Sequence, residues 1–80
     1  MARKISSLAY QYVLLVRNQA GERINGTVST RDQSGAVEMA QDILKMLPAA
    51  ESVDLYPYTA NFKEEAAQVV ETVERSREHV

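Results

Sequence analysis

Cysteine and tryptophan are missing from this 80-residue chain, and histidine occurs once, at His79. The lack of cysteine excludes disulfides and thiolate metal sites. One histidine cannot supply a metal-binding His/Cys cluster. As the penultimate residue it also gives Ser-His-Asp chemistry no scaffold to orient it. Gly26 and Gly35 do not combine into a phosphate loop. The sequence thus offers no catalytic residues, no cofactor site and no metal site, and it reads as a non-enzyme. With nothing to staple the chain, stability must come from buried apolar side chains, which at 45% hydrophobic content are in ordinary supply.

Charge of one sign is scarce too. Nine Lys and Arg against eleven Asp and Glu leave a net charge of −2. That excludes a polyanion mimic and a protein that holds nucleic acid by bulk charge alone. Long apolar runs are absent. The longest, from Tyr12 to Val16, falls far short of the roughly 20 residues that span a bilayer. The opening has the basic pair Arg3 and Lys4, but Ser6 and Ser7 interrupt the apolar residues beyond it, so it does not read as a secretory signal. The expected location is the cytoplasm, with no membrane partner.

What is present reads as one domain over residues 1–80. Residues 10–17 are aromatic and β-branched, and apolar on both alternating faces from Tyr12 to Val16. Such a strand suits the middle of a sheet or a position covered on both sides. The spacing predicts a hairpin to residues 23–30 through the loop Gln19-Ala20-Gly21, with Gly21 left-handed. The predicted register pairs Asn18 with Glu22, Val16 with Ile24, Leu14 with Gly26 and Tyr12 with Val28, which sets apolar against apolar. A helix is expected from about 35 to 47, capped by Asp32 or Ser34 and stopped by Pro48. Residues 52–56 read as a third strand ended by Pro57. Asn61 and Glu64 give an Asn-x-x-Glu capping pattern before a stripe of Phe62, Ala66, Val69, Val70 and Val73, which predicts a second helix.

The expected fold is therefore α+β, in the order β-β-α-β-α. A three-stranded antiparallel sheet of order 2-1-3 carries two helices on one face. Leu14, Leu44 and Phe62 are expected in one core. The other face is expected to be open, with Val13 and Leu15 at its centre. Arg17, Arg23, Asn25, Thr27 and Arg31 lie toward one side and Tyr56 and Tyr58 toward the other. Tyrosine and arginine are enriched at interface hot spots, so these nine residues form the predicted partner-binding set. Met39 and Met46, on one flank of the first helix, either complete the core or offer a second docking edge.

The length, the absence of cysteine and of catalytic residues, and the compact helix start Gly35-Ala36-Val37-Glu38-Met39-Ala40 together set the format of the chain. In that format it resembles the small proteins that phages and other mobile elements make against host defences, anti-CRISPR proteins among them. The resemblance implies stoichiometric inhibition by covering a surface of a host protein or nucleoprotein complex. Two further readings stand beside it: a nucleic-acid-binding module, and a subunit that self-associates as a homodimer.

Overall fold

The computed structural model describes residues 11–59 and 61–75. Strand β1 (Tyr12–Arg17) and strand β2 (Arg23–Ser29) form the predicted hairpin, followed by helix α1 (Gln33–Met46). Strand β3 (Ser52–Pro57), a short 3-10 turn at Glu64–Ala66 and strand β4 (Glu71–Glu74) complete the order. The sheet is antiparallel throughout, in the order β2-β1-β3-β4. The α+β class and the 2-1-3 arrangement of the first three strands match the sequence reading. The predicted second helix is replaced by a loop and a fourth strand.

Its replacement has a physical cause. The stripe at 62–73 is rich in valine, which is stiff at χ1 and favours a strand. Val73 pairs with Val53 and is buried, while Glu71, Thr72 and Glu74 are exposed. That pairing satisfies the outer edge of β3, which a helix would have left unpaired. Pro57 fits the same arrangement. Tyr58 donates its N–H to Gln11 O, so strand alternation turns the nitrogen of Pro57 to the other side, beyond the last β4 pair at Leu55 and Glu71.

Helix α1 is capped by Asp32, whose Oδ1 accepts from the Gly35 N–H at 2.9 Å. Its other end is closed by Arg75, just past β4. The Arg75 guanidinium donates to Ala50 O at 2.9 Å, Leu44 O at 2.6 Å and Leu47 O at 2.8 Å. Leu44 O is among the carbonyls that a helix C-terminus leaves without partners, and Leu47 O and Ala50 O belong to the cap and the loop that follow it. Arg75 thus acts as a long-range cap.

Ala36, Ala40 and Leu44 of α1 meet Leu14, Val16, Val53, Leu55 and Val73 in the main core. A second, smaller cluster lies on the opposite face, where Val13, Leu15 and Tyr56 are packed by Val28, Phe62 and Ala67. The single core expected for Leu14, Leu44 and Phe62 is therefore two cores, one on each side of the sheet. The both-faces-apolar pattern of β1 reflects cover on both faces.

Candidate functional site

The hairpin begins as the sequence predicts. Gly21 has φ +85°, a conformation that a side chain at that position would strain, and Asn18 N–H donates to Glu22 O at 2.9 Å. One residue later the register slips. Arg17 pairs with Arg23 but Val16 pairs with Asn25, so Ile24 is bulged out. From there Leu14 meets Thr27 and Val13 meets Val28. A one-residue slip exchanges the faces of a strand. Asn25, Thr27 and Ser29 therefore stand on the helix side, while Gly26 and Val28 stand on the side predicted to be open.

The predicted set is split by this arrangement. Val13, Leu15 and Tyr56 are only 7%, 4% and 5% exposed, because residues 61–70 fold across them. The ring of Phe62 meets that of Tyr56 edge-on, with centroids 5.6 Å apart. The face predicted to be open is thus closed by the chain itself. Arg17 holds the cover down. Its Nε bonds Asp54 Oδ2 at 3.0 Å and its Nη2 bonds Glu64 Oε2. Thr72 Oγ1 adds a bond to Asp54 Oδ1 at 2.9 Å, and Arg23 reaches Glu64 Oε1 at 3.2 Å. Glu64, read from the sequence as a helix-start residue, is instead the bridge between the 3-10 turn and two arginines of the hairpin. Asp54 and Glu64, with Tyr56 adding a hydrogen bond, raise the pKa of Arg17 above its ordinary value.

Arg31 lies between β2 and α1, where its Nη2 meets Glu38 Oε1 at 3.2 Å. Tyr58 is exposed beyond the end of β3. Asn25 and Thr27 remain exposed although they face the helix side, because α1 packs on β1, β3 and β4. Gln33 bonds Glu71 of β4 at 2.8 Å. At 100° per residue this turns the flank of Val37 and Gln41 toward β4, and the flank of Met39, Ile43 and Met46 toward β1 and β2. Met46 is 70% exposed and the bulged Ile24 is 41% exposed.

Among the described residues an uncovered ledge results: strand β2, polar at Asn25 and Thr27, on the same side of the sheet as the soft apolar flank of α1. The sequence signals for it were the two methionines at helical spacing and the polar alternation of Asn25 and Thr27. The bulge that brings them to the same side has no mark in the sequence.

Among the described residues, no group of three or more His, Cys, Asp or Glu is placed to hold a metal ion. His79 lies outside the described residues. No helix among them is long and apolar enough to cross a membrane. The chain matches no family model, and no curated protein or solved structure is significantly similar to it.

Proposed function

We propose that this chain is a non-catalytic binding protein that acts stoichiometrically, by covering a surface of a host protein or nucleoprotein complex in the cytoplasm. The observation that carries this reading is the ledge. Residues 23–27 of β2 are exposed in succession, and Met46 is exposed on the helix that covers the same side of the sheet. Methionine suits such a surface because its unbranched thioether repacks against varied partners. An anti-defence inhibitor of the anti-CRISPR kind is the specific form this reading takes.

The nucleic-acid alternative is weakened by how the arginines among the described residues are engaged. Arg17, Arg23 and Arg31 each meet a carboxylate, and Arg75 is bonded to backbone carbonyls. A phosphate would have to displace these partners before gaining from the charge.

The test is capture of the partner from the source cell, followed by titration of that purified partner. The wild-type chain should saturate inhibition near one equivalent, and binding should show a shallow salt dependence. Thr27→Arg and Met46→Glu should each weaken binding by on the order of 10-fold or more, as expected for a charge forced into an interface. Glu65→Ala, on the exposed 3-10 turn, should leave binding unchanged. Inhibition completed at a small fraction of an equivalent would mean turnover, and would overturn the non-catalytic reading.

A further inference from the structure

Among the described residues, strand β2 is an edge strand with an open hydrogen-bonding row. Glu51 N–H donates to Arg17 O and Asn18 N–H to Glu22 O, so the odd residues of β1 face β3 and its even residues face β2. The partners of those even residues are Asn25, Thr27 and Ser29, whose backbone groups are used inside the sheet. Strand alternation then turns the N–H and C=O of Gly26 and Val28 outward. Gly26 carries the mark of this position: its N–H is satisfied by the side chain of Asn25, at 2.8 Å, rather than by a strand.

The two edges of the sheet are not equivalent. β4 has four residues and presents Glu71 and Glu74, the charged, short form that discourages pairing. β2 has seven residues without proline, lysine or carboxylate, and its one cation, Arg23, is occupied by Glu64.

We propose that two copies of this chain join antiparallel through their β2 edges, centred on Gly26, into one continuous sheet. The β2 sequence supports a second copy as the occupant. Two antiparallel neighbours are related by a two-fold axis normal to the sheet, and that operation keeps every residue on its own face. Residues that meet across the seam must therefore share a face, and the axis must pass through a residue. With the axis at Gly26, Asn25 lies beside the partner's Thr27, amide against hydroxyl on the helix side, and Val28 reaches the partner's strand where the bulged Ile24 leaves an exposed apolar side chain. The glycines meet as a hydrogen-bonded pair with no Cβ to crowd the seam. A Cβ on Gly26 would come within 3.2 Å of Leu15 Cδ2, so the methyl of Leu15 fills that space and adds to the apolar side. The dimer sets two ledges side by side along the seam.

Sedimentation equilibrium of the purified chain, with no host partner present, should show the mass rising from monomer to dimer between micromolar and millimolar concentration. Thr27→Lys should return it to monomer. The register is tested by single cysteines, which have no native thiol to compete with them. In a non-hydrogen-bonded antiparallel pair the Cα atoms lie about 4.5 Å apart, within disulfide reach. An oxidised equimolar mixture of Asn25→Cys and Thr27→Cys should give the mixed disulfide in clear excess over chance, and little of either self-linked product. A monomer at millimolar concentration overturns the proposal, as does random cross-linking. So does Val28 N–H exchange that slows only when a captured host partner is added, because that partner would then be the occupant. The dimer is read with no host partner present and the inhibition titration with it, so the two readings fail separately.

Discussion

Arg17 shows how a residue predicted for the surface became part of the framework. It lies on β1, and at that point two carboxylates converge on it: Asp54 from the neighbouring strand β3 and Glu64 from the 3-10 turn. The side chains of Arg17 and Asp54 are 23% and 15% exposed, so the pair is partly withdrawn from water. Removing one member leaves the other with its desolvation uncompensated. Arg17→Leu should cost about 2 kcal/mol, below the cost of breaking a fully buried pair. The double variant Arg17→Leu with Asp54→Leu should recover more than half of that, as read from urea denaturation midpoints. A double variant less stable than Arg17→Leu would mean that Asp54 acts mainly through Thr72. The pH dependence has a definite sign. Because the folded state raises the pKa of Arg17, the stabilisation it contributes is complete below the ordinary arginine value for as long as its carboxylate partners are ionised. On the alkaline side it is lost only as pH climbs through the raised value. Alkaline titration through the lysine range should leave this contribution intact.

At the scale of elements, what the sequence revealed and what it hid have separate causes. The turn at Gly21, the Asp32 cap and the two-faced strand β1 are each fixed by neighbouring residues, and each was legible. The bulge at Ile24 was not. The unslipped register also pairs apolar with apolar, and what favours the slipped one is the cover that Phe62 and Ala67 place over Val13 and Val28. That cover comes from a segment whose capping pattern, Asn61 to Glu64, imitates a helix start. Its valines carried the opposite signal. Misreading this one segment closed the face predicted to be open and moved three of the nine site residues into the interior. The consequence is testable through Phe62. Phe62→Ala should destabilise the fold by roughly 1–3 kcal/mol, less than a fully buried phenylalanine would cost. It should also increase the binding of a hydrophobic dye by uncovering Val13, Leu15 and Tyr56. Loss of stability without added dye binding would mean that residues 61–70 collapse back over the gap.

For the whole molecule, the sheet is closed on one face by α1, on the other by residues 61–70, and at the β4 edge by charge, while the β2 side stays accessible. This gives a gradient of protection that amide exchange can read in the monomer at low concentration. The amides of Val13, Leu14, Leu15 and Val16 are bonded within the sheet on both sides of β1 and buried from both faces. They should exchange only through global unfolding, on the order of 5 kcal/mol or more above the native state. Along β2 the amides should alternate, with Thr27 and Ser29 slow because they bond β1, and Val28 fast because its N–H looks outward. Gly26 should be intermediate, since the side chain of Asn25 holds its N–H. This alternation depends on the bulge. Without the slip at Ile24, Gly26 and Val28 would take the inward positions, and the fast and slow residues would trade places. Fast exchange at Thr27 with protection at Val28 would restore the unslipped hairpin. It would return Ile24 and Val28 to the helix side and dissolve the ledge on which the proposed contact surface rests.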